Sequence, residues 1–141
     1  MHIFKFFEEE FKSIVDNMKS AGDLPAGLDT SRVVFELPRE ASHGDLACNA
    51  AMVLAKAAGM KPRDLAEAFT AKIGEIAGVT SIEIAGPGFI NIRVAPRLWA
   101  QEIDDIIATG TDYGRNDSGA GQPVNVEYVS ASPTGPLHAA H

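Results

Sequence analysis

The 141-residue sequence has one cysteine, one tryptophan and two tyrosines. A single thiol, Cys48, excludes an internal disulfide framework and fits a reducing, cytoplasmic setting. Its expected place is in the core, as a small buried hydrophobe. No apolar run approaches the ~20 residues that span a bilayer. The opening MHIFKFFEEEFK lacks the pattern of a secretory signal. Lys5 and the glutamates at 8–10 interrupt its apolar residues, and no small-residue cleavage site follows. Basic residues are in deficit: 12 Lys and Arg against 19 Asp and Glu give a net charge of −7. A global positive field for nucleic acid is thereby excluded. The deficit is uneven, since residues 1–50 carry five basic and nine acidic groups and residues 51–110 carry six and seven. Any RNA contact must therefore use a local patch. Internal repeats are absent too.

What remains is the composition of one globular domain, 45% hydrophobic and 22% charged. Residues 2–19 predict an amphipathic helix, with Ile3, Phe4, Phe7, Phe11, Ile14, Val15 and Met18 at spacings of three and four. Its polar face is acidic, so anionic lipid would repel it and a packed core is the expected neighbour. Residues 33–37 predict a strand with Val33, Phe35 and Leu37 inward, stopped by Pro38. Residues 39–49 predict a turn around Gly44 and a short strand, with His43 on an exposed loop. An alanine-rich helix over 50–58 closes at Gly59, and Pro62 opens another that buries Leu65, Ala66, Phe69, Ile73 and Ile76 and runs to Gly78.

The clearest hairpin joins residues 79–85 to 89–94 through Gly86-Pro87-Gly88. Ile90, Ile92 and Val94 share one face of the second strand, and Phe89, Asn91 and Arg93 share the other. That glycine turn joins strand to strand and not strand to helix, so it is no phosphate loop. Pro96 begins a fourth helix carrying Leu98, Trp99, Ile103, Ile106 and Ile107 on its apolar face, capped by Gly110. Residues 111–123, with Gly114, Gly119 and Gly121 and few apolar groups, predict a linker. The order α-β-β-α-α-β-β-α over 1–110 predicts an α+β domain of two layers, a four-stranded antiparallel sheet with helices on one face.

The final segment, VEYVSASPTGPLHAAH over 126–141, carries the chemistry. A β-rich run leads through a small-residue turn to Pro136, His138 and His141. A strand, a turn and a helix start suit nucleotide phosphates, because the first helical N–H groups are unpaired and the dipole end is positive. A bare His-x-x-His is weak evidence, more often a chance pair or half of a metal site completed by a carboxylate than a nucleotide motif. The whole string is more specific. It resembles the signature segment of bacterial arginyl-tRNA synthetases, in which a strand passes through Ser-Ala-Asn-Pro-Thr-Gly-Pro into the His-x-Gly-His motif. The run from Gly44 through Asn49 to Lys56, PRDLAEAF at 62–69 and GPGFINIRV at 86–94 resemble that family's N-terminal additional domain. The resemblance covers nearly the whole sequence.

The resemblance implies an N-terminal tRNA-binding domain at 1–110, a linker at 111–123 and the start of a Rossmann catalytic domain at 124–141. It implies a fragment, inactive alone, of a cytoplasmic and monomeric parent that activates arginine with ATP and Mg2+ and then esterifies tRNA-Arg. No resident metal is implied. The signature region falls on Ala131, Ser132, Pro133, Thr134, Gly135, Pro136, Leu137, His138, Ala139, Ala140 and His141, with His138 and His141 stabilising the phosphoryl transition state. Glu127, Ser130 and Ser132 would line the arginine pocket, the carboxylate meeting the guanidinium. Two positions depart from the family: Ala140 replaces the glycine beside the adenine, and Ser132 replaces the Asn of the turn. The domain is expected to dock on the D-loop elbow of tRNA through Asn91, Arg93, Arg97 and Trp99, although Trp99, beside Leu98, fits the core better; Lys56, Lys61 and Arg63 would lie near phosphate or equally form a solvated face. A free-standing α+β RNA-binding module is the competing reading, and a metal site on His138 and His141 is another.

Overall fold

The computed structural model describes every residue except Met1, Ser118, Ser132, Pro133, Leu137, Ala139, Ala140 and His141. The chain divides into two compact units, Met1–Gly110 and Thr111–His141. In the first, helix α1 (Ile3–Ala21) buries Ile3, Phe7, Phe11, Val15 and Met18, the stripe that a 3.6-residue repeat places on one side. Gly22 ends it in the left-handed conformation, φ 84°, donating its N–H to the Lys19 carbonyl. Helices α2 (Ala50–Ala58) and α3 (Pro62–Ile73) follow the alanine-rich run and the Pro62 start. Strands β1 (Phe35–Glu36) and β2 (Leu46–Cys48) precede these two helices, β3 (Val79–Ala85) and β4 (Phe89–Val94) follow them, and α4 (Pro96–Thr109) comes next.

The four strands form one antiparallel sheet in the order β1-β2-β4-β3, which realises the expected α+β architecture. Inward-facing Phe35, Leu46, Cys48, Ile90, Ile92 and Val94 join the buried residues of the helices in one core. Phe11 sits at its centre, edge-on to Phe69 at 4.9 Å and to Phe35 at 5.7 Å. Cys48 is buried as expected, and desolvation pushes its thiol up to about 12 against the opposing effect of the Ala50 backbone N–H.

Several expectations are corrected. The first strand is only two residues long, and Leu37 is 66% exposed instead of inward. Asn49 explains the shortness. Its side-chain oxygen accepts from the Val34 N–H (2.9 Å) and its amide donates to the Arg32 carbonyl (3.3 Å). A side chain thus replaces the ladder partner there, and Pro38 blocks continuation beyond. Helix α3 ends at Ile73, five residues before Gly78, with Ile76 buried in the turn that follows. In α4 the buried residues are Leu98 and Glu102, while Ile103, Ile106 and Ile107 are exposed. At about 100° per residue the isoleucines centre more than a quarter-turn away from Leu98, so both sets cannot face the core. Leu98 wins because it packs on Gly78, where an added Cβ would lie 2.7 Å from its Cδ1.

In the second unit, residues 124–130 form no strand. Val124, Val126, Tyr128 and Val129 are all exposed. A β-run needs a neighbouring ladder to satisfy its backbone, and no described residue pairs with it. Thr134–Pro136 and His138 lie in turn or irregular backbone, so the expected helix start is not seen among the described residues.

Candidate functional site

The sheet covers its inner face with helices and leaves the other open. On that open face Glu36, Ala47, Asn91 and Glu83 stand in one row across the four strands, as the register dictates. Phe89 opposes Ala85 in the row beside it. Ala47 and Ala85 are small, so this part of the face is hollow. Residues 37–43 rise beside it and complete a cleft of about 410 Å³, lined among others by Leu37, Arg39, His43, Phe89 and Asn91. That volume lies within the usual range for small-molecule pockets.

Both walls are fixed. On one side, the Asp45 N–H donates to the Ile92 carbonyl (2.8 Å), the Asp45 carboxylate accepts from the Val94 N–H (2.9 Å), and the Arg93 guanidinium donates to the Ser42 carbonyl. Gly44 lies flat against β4 at φ 132°, where an added Cβ would stand 2.7 Å from the Ile92 oxygen. On the other side, the Gly86-Pro87-Gly88 turn rests on the start of α3. An added Cβ at Gly88 would meet the Pro62 oxygen at 3.0 Å, and Arg63 donates to the Gly86 carbonyl at 3.4 Å.

The lining decides what the cleft accepts. Glu36 and Glu40 place two carboxylates against one guanidinium, Arg39, and the His43 imidazole. That lining offers a phosphate no excess of positive charge. A flat, neutral group is better matched: Phe89, 44% exposed, offers an aromatic face, and the Asn91 amide offers a donor and an acceptor in the floor. Exposed apolar surface on Leu37 and Phe89 inside one cleft also marks a place where something packs.

Of the four residues expected to meet RNA, only Asn91 lines this cleft, and it is buried at 6% exposure instead of standing out in solvent. Its backbone sits in the middle of β4 between two neighbouring strands, and its side chain is recessed in the floor. Arg93 is exposed and bound to the Ser42 carbonyl. Arg97 is exposed at the start of α4, and Trp99 is half-buried against the core. Lys56, Lys61 and Arg63 are exposed. Phe89, Leu37 and Arg39 also line the cleft, as does His43, which the sequence placed on an exposed loop. The available signal was Phe89 on the outward side of a strand, an aromatic with no core to enter.

In the second unit Glu127, Ser130 and His138 are exposed, Ala131 is half-buried, and Thr134, Gly135 and Pro136 are exposed. Ser132, Pro133, Leu137, Ala139, Ala140 and His141 lie outside the described residues, so the His138–His141 pairing does too. Among the described residues no cluster of three His, Cys, Asp or Glu is placed to hold a metal.

Comparison with known proteins places this geometry. The family described as "Arginyl tRNA synthetase N terminal domain" matches residues 5–94, which run from within α1 to the end of β4 and hold the whole cleft. The chain is 54% identical over 141 residues to the arginine–tRNA ligase of Parvibaculum lavamentivorans, covering 100% of this chain and 24% of that protein. It is 53% identical over 141 residues to that of Roseobacter denitrificans, with the same coverage. It is 55% identical over 124 residues to that of Paracoccus denitrificans, covering 88% of this chain and 21% of that one. The chain thus spans about a quarter of the length of the curated relatives it matches. By the match over residues 5–94, this chain belongs to the arginyl-tRNA synthetase N-terminal domain family.

Proposed function

We propose that this chain is the N-terminal part of an arginine–tRNA ligase, and that its first unit docks on the elbow of tRNA-Arg by taking an unstacked D-loop base into the open-face cleft. One observation carries this reading: an exposed aromatic, Phe89, stands beside a recessed amide, Asn91, in a cleft with no excess of positive charge. Loop bases of RNA can splay out, stack on an aromatic ring and offer their edges to an amide. A net charge of −7 fits recognition by shape and stacking better than by a phosphate-seeking field. Arg97, Lys56, Lys61 and Arg63 are exposed cations around this unit and would supply the phosphate contacts.

The remaining assignments follow from the same reading. Residues 1–110 form the tRNA-binding domain, 111–123 the linker and 124–141 the start of the catalytic domain. In the complete enzyme, His138 and His141 would donate hydrogen bonds to ATP phosphates as charge builds. Glu127 would meet the arginine guanidinium, with Ser130 and Ser132 beside it. The β-run at 124–130 would gain its ladder from strands of the same catalytic domain, which accounts for its exposed valines. ATP would enter with Mg2+, and the enzyme would act as a cytoplasmic monomer.

The test is a salt-dependent titration of the full chain against tRNA-Arg, an unrelated tRNA, and tRNA-Arg with its D-loop altered. The reading expects preference for tRNA-Arg, lost when the D-loop is altered. Equal binding to all three would overturn it and leave a non-specific RNA-binding module as the better description.

A further inference from the structure

We infer that Arg93 is a positioning residue for the base cleft, clamping the 41–45 loop onto the sheet, and that it is not a phosphate contact. This inference rests on the cleft reading above and deepens it. Arg93 follows the cleft residue Asn91 by two positions and shares its face of β4, yet it is absent from the cleft lining. Its guanidinium instead donates to the carbonyl of Ser42, 51 residues away in sequence. Ser42 lies in the 3-10 turn Ala41–His43, and His43 from that turn lines the cleft.

The turn has few other ways to hold its place. No residue of Ala41–His43 is buried, so hydrophobic packing does not anchor it. The Ser42 hydroxyl reaches Glu40 only at 3.5 Å, at the limit of a hydrogen bond. Downstream, the loop is pinned at Asp45, whose N–H and carboxylate engage Ile92 and Val94, and at Gly44, which lies against Ile92. Those contacts fix the foot of the loop. Arg93 is the side chain that fixes its crest, reaching from the strand that carries Phe89 and Asn91. One strand therefore supplies both the base platform and the brace for the opposite wall. An arginine reaches this carbonyl from a strand position and stays charged throughout.

The experiment uses the full chain with two ligands: tRNA-Arg, and the same tRNA assembled from synthetic halves with abasic sites through the D-loop. Binding is measured across a salt series for the wild type, Arg93→Ala and Arg93→Lys. Wild type is expected to prefer the intact tRNA. Arg93→Ala is expected to lose that preference while binding the abasic tRNA as wild type does, with an unchanged salt slope. Arg93→Lys, which keeps one donor for the Ser42 carbonyl, is expected to restore part of the preference. Faster amide exchange at residues 42–43 in Arg93→Ala would accompany the loss. A phosphate contact behaves differently: Arg93→Ala would weaken both tRNAs by the same factor and lower the salt slope by about one. That result, or an unchanged preference in Arg93→Ala, overturns the inference and leaves the cleft reading standing. A wild type that does not distinguish the two tRNAs overturns the cleft reading, and this inference with it.

Discussion

Gly88 lies against Pro62 so closely that an added Cβ would stand 3.0 Å from the Pro62 oxygen, and its φ of 151° is one that side-chain-bearing residues rarely adopt. This contact seats the β3–β4 turn on α3 and sets where Phe89 begins its strand. Gly88→Ala is expected to destabilise the chain by about 1–3 kcal/mol through strain at this φ and crowding against the α3 backbone. Urea unfolding checks it. An unchanged midpoint would mean that the turn shifts freely and does not fix the cleft.

Phe89 is half in solvent, so its loss should affect binding more than folding. Phe89→Ala is expected to lower affinity for tRNA-Arg by about 1–3 kcal/mol, the usual worth of one stacked base. Its unfolding midpoint should move little, as for other substitutions outside the core. Phe89→Tyr keeps the ring and should retain most of the affinity. Equal losses in Phe89→Ala and Phe89→Tyr would show that the ring face is not what the RNA uses.

Phe11 behaves in the opposite way. It is 2% exposed and meets Phe35 and Phe69 edge-on. Phe11→Ala opens the centre of the core and is expected to destabilise by about 3–5 kcal/mol. Thermal or urea denaturation measures it, and a loss under about 1 kcal/mol would contradict the packing described.

The Cys48 thiol, raised to about 12 by burial, should be inert in the native chain. Its ordinary value is 9.0, so the native state holds its proton more tightly than the unfolded state does. The resulting contribution to stability is complete below pH ~9 and is lost as pH rises toward ~12, because only the unfolded chain gains by ionising. Iodoacetamide at pH 8 is expected to label the urea-unfolded chain quickly and the native chain slowly. Equal rates would place Cys48 at the surface.

Much of this fold was readable from local pattern. The α1 stripe, the Pro62 helix start and the Gly-Pro-Gly hairpin each depend on neighbours within a few residues, and each lies where expected. What failed depended on distant partners. The shortness of β1 comes from the Asn49 side chain, 15 residues beyond Val34. The outward isoleucines of α4 follow from Leu98 fitting over Gly78. The valines of 124–130 have β propensity without a described ladder to join. The cleft was missed for the same reason. Leu37, His43 and Phe89 come together only through the β1-β2-β4 pairing, which no short window of sequence displays. The hydrogen bond from Arg93 to the Ser42 carbonyl is equally invisible locally, since an outward arginine on a strand gives no sign of a partner 51 residues away.

The central claim is that the open face of the sheet, between residues 36–43 and the β3–β4 turn, receives a base from tRNA. The most direct measurement is the change in backbone amide NMR shifts of the full chain as tRNA-Arg is added. The account predicts the largest changes at residues 36–43, at Ala47 and at 85–91. Shifts confined to the exposed cations Lys56, Lys61 and Arg63, with the cleft residues unmoved, would contradict it.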